Sequence, residues 1–185
     1  MNPAYTDKTA VQNYTLTNID ASFDTQLTAY IAAMSEFANT RAGYPIYRTA
    51  PSTNTYDGNG ESHLPISPVV SITEVQVDGA VVTPLQAPYN ASYKTELILP
   101  GQCFTNDYAN VTVTGIHAFS ATLPEKIKWA VTVLVAGIVN QVNNQTEGVQ
   151  SEKIGEYQVS YKDQAQRADY TLALKIIDSY RRVMF

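Results

Sequence analysis

The sequence predicts an α+β fold: a three-helix core, over about 20–42, 123–143 and 164–182, with a β-rich insert between the first and second helices. Three observations carry this reading. Apolar residues recur at helical spacing in three separate windows, and residues 44–119 between the first two are a Thr-, Pro-, Gly- and Tyr-rich stretch of short alternating runs. Within that stretch Asp78-Gly79 joins two such runs, and both residues tolerate the positive φ of a tight primed turn. With 185 residues, 44% of them apolar, the chain is long enough for one ordinary core, so a single domain over 1–185 is expected.

Residues 1–16 show no apolar period, and Tyr5 and Tyr14 are their only large aromatic groups, so this segment is expected as an arm ordered by a neighbour. The first helix follows from Phe23, Leu27, Tyr30, Ile31, Met34, Phe37 and Ala38, with Asp20 placed to cap its start and Gly43 to stop it. In the insert, Val69–Val77, Val81–Val82, Glu96–Leu99 and Val111–Ile116 read as strands, whereas 48–61 carry no apolar period and are expected as a long functional or mobile loop. Thr122-x-x-Glu125 with Pro124 announces the second helix. Its stripe of Ile127, Val131, Leu134, Ile138 and Val142 is reinforced by Ala130, Val133, Val135 and Val139, and no charge falls between Lys128 and Glu147, which makes it the central helix. Residues 155–161 alternate like a half-exposed strand, and Asp163-x-x-Gln166 heads a third helix with a face of Ala165, Ala168, Leu172, Ala173, Ile176, Ile177, Tyr180 and Met184.

Twelve basic against seventeen acidic residues leave a net charge of −5, which argues against a surface that grips nucleic-acid phosphates. A lone Cys103 excludes an internal disulfide framework, and no apolar signal core or membrane-length run is present, so a soluble protein made in a reducing compartment is expected. The Asn-x-Ser/Thr triplets at Asn13, Asn90, Asn110 and Asn144 are chance products of an Asn- and Thr-rich chain.

No motif for catalysis stands out, and no enzyme, metal or cofactor is expected. His63 and His117 lie in the insert outside any nucleophile or metal pattern and read as structural. There is no Gly-rich phosphate loop. Asp57-x-Asn59-x-Glu61 looks like the start of a calcium loop but lacks its downstream Gly and bidentate Glu, so it reads as a polar glycine turn. Paired carboxylates for glycoside hydrolysis need proximity in space, on which the sequence is silent.

Thirteen tyrosines against five phenylalanines are unusual. Tyrosine joins a large apolar area to a polar tip and suits surfaces that stay soluble before assembly. Tyr30, Tyr157 and Tyr180 fit a core edge equally well, whereas Tyr44, Tyr47, Tyr56, Tyr89, Tyr93 and Tyr108 fall in turn-rich segments. Charge is uneven too. Residues 44–123 hold two basic and six acidic residues, or −4, and 164–185 hold four basic and two acidic, or +2, a polarity suited to head-to-tail packing or simply to cations at a helix end.

The order of elements resembles the head-tail connector (adaptor, head completion) proteins of tailed bacteriophages. The matching stretches are Ile31–Tyr44, Tyr56-Asp57-Gly58-Asn59-Gly60, Ser71–Gly79, Asn110–Gly115, Pro124–Leu134 and Ile177–Val183, with Tyr180-Arg181-Arg182-Val183 closing the last helix. The resemblance implies a virion structural protein assembled in the host bacterial cytoplasm, in which a ring of about twelve copies sits under the portal protein and extends the DNA channel. It further implies docking of the next tail-side component, a stopper or tail completion protein, and passage of DNA without sequence-specific binding. Tyr180, Arg181, Arg182, Met184 and Phe185 combine the residue types enriched in interface cores and are the candidate partner-binding residues, together with Tyr47 and Tyr56 of the insert. The alternative reading is a β-rich ligand- or carbohydrate-binding module that uses exposed tyrosines.

Overall fold

The structure is a computed structural model that describes residues 3–83, 85–88, 94–144, 151–154, 157–160 and 168–181, three short strands by their backbone alone. The chain folds into two compact units, one built on Tyr44–Leu123 and the other on Ala4–Gly43 with Pro124–Phe185. The first is a β unit and the second is helical.

In the helical unit, helix α1 (Lys8–Thr15) is capped by the Asp7 carboxylate, which accepts from the Ala10 amide at 2.8 Å. That bond, the largest influence on it, holds Asp7 below the usual carboxylate range. A 3₁₀ turn (Ala21–Phe23), capped by Asp20 through the Ser22 amide, leads into α2 (Asp24–Ala42). Helix α2 ends at Gly43 in the left-handed conformation, its N–H bonded to the Thr40 carbonyl. Helix α3 (Glu125–Asn144) starts at Pro124, whose carbonyl accepts from the Lys128 amide, and α4 (Ala168–Asp178) closes the unit. Helix α3 is the central element, touching α1, α2 and α4. Its Ile127, Ala130, Val131, Val133, Leu134, Val135, Ala136 and Val139 are all buried, as a helix apolar on most of its circumference requires.

The β unit contains two antiparallel sheets. Strands β1 (Ser52–Tyr56), β2 (His63–Val69), β3 (Ser71–Val77), β4 (Ala80–Val82), β5 (Leu85–Pro88), β6 (Lys94–Ile98) and β7 (Val111–Ile116) are arranged as β1-β7-β3-β4 and β2-β6-β5. Alternating residues of both sheets, Leu64, Ile66, Val69, Val75, Val77, Leu97, Val111 and Val113, together with Leu99 and Phe104, form one buried cluster. The β3–β4 turn is Asp78-Gly79, with φ of 52° and 77°, the geometry a primed hairpin turn demands. A third, two-stranded sheet pairs β8 (Ser151–Ile154) with β9 (Tyr157–Ser160) in the other half of the chain.

The α+β class stands, but the expected three-helix core carrying a β insert does not. A fourth α-helix, α1, comes from the segment expected as an arm, and the β region closes around its own core. Three contacts explain the first departure: Tyr5 and Val11 are fully buried, Tyr5 bonds through its amide to Ser35 Oγ and through its hydroxyl to Asn39 Oδ1, and Thr6 meets Thr132 of α3 at 2.6 Å. Two fully buried side chains of this size contribute about 1.5–3 kcal/mol each, enough to fix a short segment without an apolar period. The α4 stripe is also narrower than predicted: Ala173 and Ile177 are buried, Ile176 is half-buried and Leu172 is 50% exposed.

Candidate functional site

Two polar constructions stand out in the β unit. The first centres on His117, 1% exposed beyond the end of β7. Its Nε2–H donates to the Val113 carbonyl at 3.0 Å, and Nδ1 accepts from the Asn54 amide group at 3.3 Å, which also reaches the Tyr44 hydroxyl at 3.3 Å. This pairing suits the neutral imidazole, one nitrogen donating and the other accepting. Burial is the main cause that pushes the His117 pKa below its ordinary value, with the Arg48 cation adding to it. Burial likewise raises the Tyr44 hydroxyl to about 12, and its ring packs edge-on against Phe119. Both ring nitrogens of His117 are thus engaged by partners within the β unit.

The second is a knot of two loops, 57–62 and 104–110. The Gly58 amide donates to the Asp107 carbonyl at 3.0 Å and to Asn110 Oδ1 at 2.8 Å, the Ala109 amide to Asp57 Oδ1, and the Phe104 amide to the Glu61 carbonyl at 2.8 Å. A Cβ on Gly58 would lie 1.8 Å from the Thr105 carbonyl oxygen, so only glycine fits there. The knot ties down much of the segment expected as a long unstructured loop, and Ser52–Tyr56 just before it is β1, in register with β7 over five pairs. Threonines and asparagine alternating at an exposed edge give a strand no apolar marker, which is why periodicity missed it. The knot leaves Tyr108 84% exposed at its tip. No group of three or more His, Cys, Asp or Glu that could hold a metal occurs among the described residues.

The described candidate partner-binding residues fall in both units, Tyr47 and Tyr56 in the β unit and Tyr180 and Arg181 in the helical one. Tyr56 is half-buried against the β core and its hydroxyl accepts from the Ser67 amide at 3.2 Å, so it closes the core edge. Tyr47 is half-buried beside Ser120 in an isolated parallel bridge. Tyr180 follows α4 with its amide bonded to the Ile177 carbonyl, and Arg181 is exposed. Arg182, Met184 and Phe185 lie outside the described residues, as do Tyr89 and Tyr93. Position along the chain does not reveal which tyrosines present their rings: Tyr44, Tyr47 and Tyr56 are half-buried and Tyr108 is not. The Arg41 guanidinium, at the end of α2, makes a paired contact with the Asp178 carboxylate at 2.6 and 2.8 Å, a tie between α2 and α4 that the sequence reading missed.

No family model matches the chain, and no curated protein matches it. Solved structures do. A chain in the neck of an empty GTA particle, computed with C6 symmetry, is 17% identical, covers 96% of this chain and 89% of its own length, and superposes with a TM-score of 0.57. A chain in the neck of a native GTA particle, computed with C12 symmetry, is 19% identical over 100% of this chain and 97% of its own, with a TM-score of 0.46. One in the virion of a native gene transfer agent particle is 19% identical over 90% and 81%, with a TM-score of 0.49. By the first of these likenesses, the chain has the fold of a particle-neck component along nearly its whole length. The connector-like resemblance in the order of its elements therefore meets a likeness in three dimensions.

Proposed function

We propose that the protein is a structural head-tail connector, or adaptor, of a tailed-phage-like particle, and not an enzyme. The observation that carries this is the shared fold with a neck chain over 96% of the sequence. That neck was computed with C6 symmetry, and a ring of about twelve copies under a portal is compatible with it. In this reading the protein extends the DNA channel and offers a surface to a stopper or tail completion protein. A net charge of −5 suits a passage through which DNA slides, because it makes few of the counterion-releasing phosphate contacts that would hold DNA in place.

Assembly at a portal needs a docking segment, and residues 180–185, Tyr-Arg-Arg-Val-Met-Phe, supply two cations between aromatic ends. Arg181 and Arg182 meet carboxylates and Phe185 fills an apolar pocket of the portal or the adjacent subunit. Removing 181–185 is expected to leave the protomer folded, since α4 ends at Asp178, and to yield heads that package DNA but neither retain it nor join tails. Electron microscopy of those heads, with the mass of the protein bound to portal-bearing particles, checks both points. Unchanged binding and infectious particles from the truncated protein refute the docking role, and absence of the full-length protein from the neck refutes the connector reading.

A further inference from the structure

The sheet edges of the β unit are not alike. Strand β2 carries Pro65 and Pro68 and a register shift against β6, β5 has four residues, ends in Pro88 and also shifts register, and β4 has three residues. Proline, shortness and irregular pairing are the devices by which sheets keep other strands from adding to them. Strand β1 has none of these devices: five residues, Ser-Thr-Asn-Thr-Tyr, with no proline, no charge and unbroken register to β7. Among the described residues its backbone pairs with β7 alone. Just before it, Arg48 donates through Nη1 to Ser52 Oγ at 3.0 Å, while its buried Nε has no acceptor among the described residues.

Elsewhere in the chain is a two-stranded sheet. Among the described residues strands β8 and β9 pair with each other alone, and an isolated two-stranded sheet is marginally stable in water. Their backbone register runs unbroken from Ser151 with Ser160 to Ile154 with Tyr157. Among the described residues, neither outer edge of this pair meets a further strand.

We propose that, in the assembled state, the β8–β9 hairpin of one copy adds to the free edge of β1 in the next. Main-chain hydrogen bonds extend the four-stranded sheet across the subunit boundary. The two surfaces are different parts of the same chain, so the contact is head-to-tail and repeats around a closed ring. The inference rests on the ring reading above and commits it to one interface.

The test uses the full-length protein, a variant with 151–160 replaced by a Gly-Ser linker, and variants with proline at Thr53 or at Asn54. Amides of consecutive strand residues point to opposite sides, so one proline breaks the ladder to β7 and the other removes only the outward donor. Thermal melting identifies the second, which melts within a few degrees of the full-length protein. Sedimentation velocity across a wide concentration range is expected to show multi-copy assemblies for the unaltered protein and monomers for the linker and outward-proline variants. Mixing those two is expected to give 1:1 dimers and nothing larger, since each supplies the surface the other lacks. Assembly of either variant like the unaltered protein overturns the proposal, and so does an unaltered protein that stays monomeric throughout. The ring reading is judged separately, by the number of copies on portal-bearing particles.

Discussion

His117 shows how a buried, hydrogen-bonded residue sets a measurable property. Its folded-state pKa is below the ordinary 6.5, chiefly because burial disfavours the imidazolium, an effect the Val113 carbonyl opposes and the Arg48 cation reinforces. The unfolded chain therefore takes up a proton that the folded chain refuses, so stability is full above pH 6.5 and is lost as the pH falls below it. Chemical denaturation at pH 7.5 and at pH 5.5 is expected to show this loss, and His117→Gln to remove most of the difference while lowering stability at both values. An equal slope in the variant assigns the effect to another group. The same scale explains Gly58: Ala there drives a methyl carbon into the Thr105 carbonyl oxygen and opens the knot that carries Tyr108.

At the scale of elements, α3 carries the helical unit and α4 is its thin edge. Leu134, 2% exposed, replaced by Asp leaves a buried charge with no partner and is expected to cost about 4 kcal/mol or more, whereas Leu172→Asp at a half-exposed site is expected to stay within about 1 kcal/mol. Denaturant midpoints of the two variants check the contrast. Helix α1 is a working part of this core, so removing residues 1–16 strips Tyr5 and Val11 from it and is expected to cost several kcal/mol, not to be neutral as loss of an arm would be. The Arg41–Asp178 pair adds little beside this, because exposed ion pairs contribute roughly 0–1 kcal/mol.

At the scale of the whole molecule, the two units have separate cores and are expected to unfold separately. In Leu134→Ala, hydrogen exchange is expected to speed up in α1, α2 and α3 while the amides of Val75 and Val113 in the β core keep their protection. Uniform acceleration across both units shows instead one cooperative structure.

The sequence by itself determined the elements that bury a periodic face or need special turn chemistry. Helices α2 and α3, the Gly43 cap and the Asp78-Gly79 hairpin were all legible, because the spacing of Leu27, Ile31 and Ala38 and the backbone freedom of Asp-Gly are local properties, whereas Asp20 caps the 3₁₀ turn before α2 and not α2 itself. The order of those elements also carried the resemblance to connectors. What only the tertiary structure decided rests on partners distant in the chain. Tyr5 and Thr6, leading into helix α1, are held by Ser35, Asn39 and Thr132, between 30 and 126 residues away, strand β1 exists because β7 lies beside it, and the 57–62 loop is fixed by 104–110. A polar segment has no period of its own to show, so its order is set by bonds whose other half is elsewhere in the chain.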